Sequence, residues 1–519
     1  MGVLLTGLML ASMPVIADAH DLVGGEVLIA DVCIAGAGAA GITIARDLVG
    51  SGLRVIMLES GGLERDEETQ ALYQGPHTGL PLQPLDFCRL RYFGGSTNHW
   101  SGICRRIEPE VFADRPGVAE GWPIDPNVLA PYYRLAHATC GIGANEFEAA
   151  PIAERAGASL WPLDPTRVDQ VVYQLSAPVR FGEAYRQELS DADNVTIYLH
   201  GNVTQVTLTE AGGRVQAFAC ATLRGTRFEV QADHYVLALG GIENPRVLLA
   251  STEQERAGVG NAHDLVGRYF MEHPHVYAGA AIIAHRAVDA SFYLHGAAVD
   301  VVDGDDQAPV PTRVIPAIAP SAVVRARESL IALACTIGAS NPRALSELTD
   351  TFRPDQIGSL LRAGTEDLAV FMLTVRTEQR PLRESRVTLT AERDALGMPR
   401  ARVDWRVADE DRADLRRGFE ILGAEIARAR VGRLWMAVDG NGRYPTDGIT
   451  GGCHHMGTTR MSDDPERGVV DAHCRVHGLE NLFVAGSSVF PSAGFANPTL
   501  TIVALAHRLA AHLRQRVKG

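Results

Sequence analysis

The stretch "VLIADVCIAGAGAAGITIARDLVGSGLRVIMLESGG", Val27 to Gly62, decides how the rest of the chain is read. An apolar, β-branched run (Val32–Ala35) enters Gly36-Ala37-Gly38-Ala39-Ala40-Gly41. A helical stretch follows from Ile42 to Val49, and a second apolar strand, Arg54 to Leu58, ends at Glu59. The glycines permit a tight turn and let backbone N–H groups approach a pyrophosphate at a helix N-terminus. Glu59 comes 18 residues after Gly41, the spacing of an acid that bonds a ribose hydroxyl. A glycine-rich loop alone would mean little, but strand, turn, helix, strand and acid in this order specify a dinucleotide site. The acid disfavours a 2′-phosphate, so FAD or NAD is expected and NADP is not.

Two later segments return to the same kind of architecture. "HYVLALGGIENPRVLLAS" (His234–Ser251) reads as a buried strand, a Gly240-Gly241 turn and a helix starting near Pro245. "GLENLFVAGSSVFPSAGFANPTLTIVALAHRLAAHL" (Gly478–Leu513) reads as a strand, a small-residue turn at Gly486-Ser487-Ser488, a loop and a long helix. Strands that return this late imply a discontinuous nucleotide domain with a second domain inserted. Asn497 is the expected N-cap of the last helix and Pro498 its first residue. The positive end of that helix would stabilise a reduced flavin, which is anionic at its N1–C2=O edge, whereas a nicotinamide needs no such partner.

Bulk properties narrow the class. The chain has 519 residues, too many for one ordinary core. Its formal net charge of -14 argues against nucleic acid, whose phosphates require a basic face. Eight scattered cysteines, with no CxxC or CxxCH, argue against zinc, iron–sulfur or c-type haem sites and for ordinary reduced thiols. The N-terminal "VLLTGLMLASMPVIADA" has an apolar run and an A-x-A at Ala17–Ala19, but no Lys or Arg precedes Arg46 and the run is too short for a membrane span. A start at Met13 explains it as well, and a cytoplasmic protein is expected.

"GAGAAG" with Glu59, "FGGSTNHWSG" (Phe93–Gly102), "GRYFMEHP" (Gly267–Pro274), "HHMGTTRM" (His454–Met461) and "VAGSSVFPSAGFANPTLTIVALA" (Val484–Ala506) together resemble the glucose–methanol–choline (GMC) oxidoreductases. The likeness is greatest to the bacterial branch near pyranose oxidases and glycoside 3-oxidases or dehydrogenases. It covers roughly residues 28–275 and 370–513, while 280–370 carries little that matches. The resemblance implies an α/β fold (α+β overall), with a discontinuous Rossmann-like FAD-binding domain over 26–112, 195–275 and 450–519. Residues 1–25 would be an extension, 113–194 a covering segment, and 276–449 a substrate domain with an antiparallel sheet roofing the flavin.

The resemblance also implies the chemistry: alcohol oxidation by hydride transfer to flavin, with His454 as base and Asn497 beside it. FAD contacts implied in the same way are Gly36, Gly38, Ala39, Gly41, Glu59, Gly94, Gly95, Asn98, His99, Trp100, Ser101, Val203, Gly240, Gly486, Ser487, Asn497, Pro498 and Thr499. In pyranose oxidases the histidine matching His99 tethers the flavin through its 8-methyl carbon. Here "GGSTN" precedes it, so a covalent tether and a hydrogen-bonding histidine both stay open. Glu378 and Gln379 could bind sugar hydroxyls together with His454, or form a solvated strand end. Adjacent side chains diverge on strand or helix, so His454 and His455 do not suit a shared metal ion. His455 is expected to be supporting.

The expected substrate is a sugar or glycoside, oxidised at a secondary ring hydroxyl, C3 or C2. Oxygen, a quinone or another acceptor would reoxidise the flavin. The alternatives are a natural-product or aminoglycoside primary-alcohol dehydrogenase and, in another class, a flavin-bound lyase or a non-redox binding protein. Oligomeric state is open.

Overall fold

The computed structural model describes residues 16–518 apart from 144, 178, 278–279, 302–309, 341–363, 365–366 and 437–448. The apolar run before Ile16, including Met13, lies outside the described residues. Ile16–Asp18 is an edge strand paired in parallel with Val195–Leu199, and Ala19 is fully buried.

The nucleotide stretch folds as its pattern dictates. Val27–Ala35 is a strand, Ala39–Leu48 a helix and Val55–Leu58 the parallel neighbour of the first strand. Val32, Cys33, Ile34 and Ala35 are wholly buried, as a parallel sheet covered on both faces requires. The helix starts three residues earlier than the pattern suggested, directly at the glycine turn. Strand Arg227–Leu237 pairs with Val27–Ala35 on one side. On its other edge it pairs with Val215–Ala221 near its start and with Leu482–Val484 at its end. The eight-stranded sheet is thus assembled from three separated parts of the chain. The helices Ala39–Leu48, Thr499–Lys518 and Pro126–Cys140 pack together beside it.

The helix of the second glycine turn spans Gly240–Ala250, beginning five residues before Pro245 rather than at it. Proline cannot donate to the carbonyl four residues back. That carbonyl, on Gly241, accepts instead from the Thr458 hydroxyl at 2.6 Å. The exception to helix propensity thereby ties the helix to "HHMGTTRM".

A second, antiparallel sheet of ten strands includes Leu368–Thr377, Leu333–Ser340, Val310–Pro320 and Val168–Leu175. Leu368–Thr377 buries alternate residues, as the partly alternating sequence suggested. Helix Asp409–Arg428 packs across the sheet. Beyond it, Arg386–Arg393 and Pro399–Trp405 form a hairpin.

Glu378 and Gln379, expected either to bind sugar hydroxyls or to form a solvated strand end, are instead spent on the fold. Neither has any exposed surface. Glu378 takes a bidentate pair of bonds from Arg115 and also accepts from the N–H groups of Ala332 and Gly494. Burial alone would raise its pKa, but Arg115 holds it down at about 2. The Gln379 amide oxygen accepts from Trp405 Nε1 and Glu272 N, and its NH2 donates to Arg406 O. Removing one partner of a buried ion pair leaves the other uncompensated. Glu378→Ala is therefore expected to cost stability by about 3 kcal/mol in chemical denaturation, with no selective loss of substrate affinity in the folded fraction.

Candidate active site

A cavity of about 430 Å³ is lined by residues of the segments singled out above, except "GRYFMEHP" and the strand end with Glu378 and Gln379. Gly36, Gly38, Ala39 and Glu59 line it from the first glycine turn, and Gly95, His99, Trp100 and Ser101 from the second motif. Val203, Gly240, Gly486, Ser487, Asn497, Pro498, Thr499 and His454 complete the predicted set in its wall.

Three predicted contacts stand behind that wall instead. A Cβ on Gly41 would lie 1.9 Å from the Gly36 carbonyl oxygen, so Gly41 permits the helix to turn back onto its own loop. Gly94 donates its N–H to Ala37 O, and a Cβ there would strike the Asn98 side chain at 2.5 Å. Asn98 itself donates to Phe93 O at 2.9 Å, bracing the loop from inside.

The wall suits a dinucleotide at three points. Helix Ala39–Leu48 starts with no side-chain cap, so its first N–H groups and the positive end of its dipole are free for phosphate. A Cβ on Gly38 would meet no protein atom within 4 Å, leaving the backbone open to close approach. Glu59 is buried at the end of its strand, where its carboxylate accepts from Ala37 N at 2.9 Å and Gly61 N at 3.0 Å. Sequence reading missed two arginines here. Arg89 and Arg91, from "CRLRYFGG", line the cavity and share the buried Glu243 with Arg246. Burial would raise Glu243, but the three guanidinium groups hold it at about 2. The spacing of the two arginines beside a recognised motif was a usable signal.

The last helix begins at Thr499, with Ile502 N–H bonding to Pro498 O. Asn497 does not cap it through its side chain as expected. Its amide oxygen is buried and has no partner among the described residues. An unsatisfied buried amide oxygen is costly unless a ligand meets it.

His454, in the wall of the same cavity, is held by several neighbours. Its ring Nδ1 lies 2.9 Å from His273 Nδ1, and its backbone N–H donates to Glu272 Oε2 at 2.8 Å. His275 stands edge-on to the ring, with centroids 5.9 Å apart. Burial first of all, with His273, His275, Arg376 and His455 clustered around it, holds the His454 pKa well below 6.5, so the ring is neutral. His455 packs behind it. Its Nε2 sits 3.3 Å from Glu272 Oε1 and 3.6 Å from Cys88 Sγ. The Ser487 hydroxyl bonds its carbonyl at 2.7 Å, joining the histidine segment to the small-residue turn.

Comparison with known proteins agrees with this architecture. The family described as GMC oxidoreductase matches residues 381–506, and that described as FAD dependent oxidoreductase matches 31–261. The chain carries an FAD-dependent oxidoreductase domain and a GMC oxidoreductase domain. It is 25% identical to the fructose dehydrogenase large subunit of Gluconobacter japonicus over 93% of this chain and 98% of that protein. It is 28% identical to 6'''-hydroxyparomomycin C oxidase of Streptomyces lividus over 93% of this chain and 92% of that one. The crystal structure of pyridoxine 4-oxidase from Mesorbium loti shares the fold, with a TM-score of 0.56 at 19% identity, covering 93% of this chain and 98% of that one.

FAD is therefore the cofactor, and the residues present fit it. In this GMC chain Gly38 and Gly41 serve different ends, and two variants separate them. Gly38→Ala should leave the apoprotein's melting unchanged and weaken flavin retention, read as fluorescence released on ultrafiltration. Gly41→Ala should lower the apoprotein's own stability by roughly 1–3 kcal/mol, the usual range for an overpacked core.

Proposed function

We propose that this GMC enzyme oxidises a hydroxyl of a sugar or glycoside, at the secondary ring position C3 or C2, with His454 as the base. The observation that carries this is the shared cavity wall. Both His454, a neutral imidazole, and the Asn497 amide line it. Bound FAD supplies the hydride acceptor, its N5.

The chain's own residues do the rest. A hydroxyl seated between His454 and Asn497 accepts from the Asn497 NH2 group and directs its proton at the imidazole, which fixes the direction of the C–H bond. His454 accepts that proton. Its low pKa keeps it in the accepting form across neutral pH, at some cost in basicity. The sugar assignment draws on the motif resemblance and on the fructose dehydrogenase relative. The 6'''-hydroxyparomomycin C oxidase relative, aligned over nearly the whole chain, favours a second reading, oxidation of a primary hydroxyl on an aminoglycoside or other natural product. Product analysis by NMR separates the two.

Anaerobic mixing with glucose or a glycoside should bleach the flavin. If no sugar bleaches it while a sterol or aryl alcohol does, the sugar assignment falls. The screen repeated with oxygen and dyes identifies the acceptor. His454→Ala should slow flavin reduction by roughly 10²–10⁴-fold; substrate turnover without any flavin reduction would point to lyase chemistry.

The pH profile has a defined sign. Protonation removes the base, and the folded pKa lies well below 6.5. Flavin reduction should therefore hold steady as pH falls through 6.5 and decline only further into acid. A decline centred at or above 6.5 would assign proton removal to another group.

A further inference from the structure

We propose that His273 is a positioning residue that fixes the proton of His454 on Nδ1 and so leaves Nε2 as the atom that accepts the substrate proton. This rests on the reading of His454 as the base.

The chain of bonds allows only one proton arrangement. The Gly494 carbonyl can only accept, and His273 Nε2 lies 3.0 Å from it, so His273 carries its proton on Nε2. His273 has no exposed surface, and burial first of all pushes its pKa down to about 4, so the ring holds one proton and its Nδ1 is a lone pair. That lone pair faces His454 Nδ1 at 2.9 Å. Two lone pairs cannot bond, so His454 Nδ1 must be the donor. The remaining nitrogen of His454 is then unprotonated. In water a neutral imidazole favours the proton on Nε2, so without His273 the ring would present a donor where the substrate needs an acceptor.

The neighbouring residue completes the hold. Glu272 Oε2 accepts the backbone N–H groups of His454 and Gly452, at 2.8 and 3.1 Å. One dipeptide therefore clamps both the main chain and the ring of His454. Gly494 is itself tied through its N–H to the buried Glu378, which gives the relay a fixed end. Facing groups that could perturb it are His275, Arg376, His455 and Glu378.

The first test is the tautomer in the wild-type holoenzyme, read by long-range nitrogen–proton correlation on histidine-labelled protein, with His454→Ala locating the signal. The proton is expected on Nδ1; a proton on Nε2 overturns the proposal whatever any variant does. The second test is a pair of substitutions. His273→Gln keeps an acceptor for Nδ1–H and should retain most of the flavin-reduction rate. His273→Phe keeps bulk without the acceptor and should slow reduction by roughly 100-fold or more, the scale of lost general-base catalysis, with substrate affinity little changed. Equal rates in the folded Gln and Phe variants would overturn the role. Undiminished reduction in His454→Ala would instead overturn the base reading itself.

Discussion

The site depends on one short antiparallel pairing. Pro274–Val276 pairs with Ile449–Gly451, and Met271 and Met456 exchange backbone bonds just beyond, each at 2.9 Å. Between these two anchors the strands part, and the gap holds Glu272 and His273 on one side and Gly452 to His455 on the other. Register here is decisive, because a slip of one residue would turn every side chain to the opposite face. The same Pro274–Val276 strand pairs on its other edge with Leu368–Thr377, which delivers Glu378 and Gln379 behind the pair. Three strands thus form a stack with His454 at its open side.

The nucleotide half meets this stack through polar stitches rather than through apolar contact alone. The Asn244 amide donates to Ala485 O and Ser488 Oγ while its oxygen accepts from Leu239 N, so the second and third nucleotide turns are locked together. Thr459 N and Met461 N bond to Ser488 O and Val489 O, so "HHMGTTRM" runs along the third turn. Buried bonds of this kind are costly to leave unmade, which specifies the junction more tightly than burial of similar apolar area would. The cavity lies where these stitched turns meet the Gly452–His455 segment that follows the edge strand of the ten-stranded sheet.

How much of this was legible in the sequence follows the range of the interactions. Val27 to Glu59 is a local code, with strand, turn, helix and acid within one contiguous unit, and its reading matched closely. Alternation in Leu368–Thr377 was legible for the same reason. Glu378 and Gln379 were misread because their partners Arg115 and Trp405 are distant in the chain or on another strand, and no periodicity announces them. Asn497 was given the helix-cap role that its local pattern favours; tertiary packing left its amide facing the cavity. His273 stood inside a recognised motif, "GRYFMEHP", yet its role emerges only once Gly494, more than two hundred residues away, accepts its proton.

The central claim is that one substrate hydroxyl is held between His454 Nε2 and the Asn497 amide. It is tested most directly by a crystal structure of the FAD-loaded enzyme with a fluorinated sugar that binds but is not oxidised. The account predicts that both side chains hydrogen-bond the same ring hydroxyl oxygen, at C3 or C2, with the carbon's hydrogen directed at the flavin. A sugar bound in the cavity with neither side chain on a common hydroxyl would contradict it.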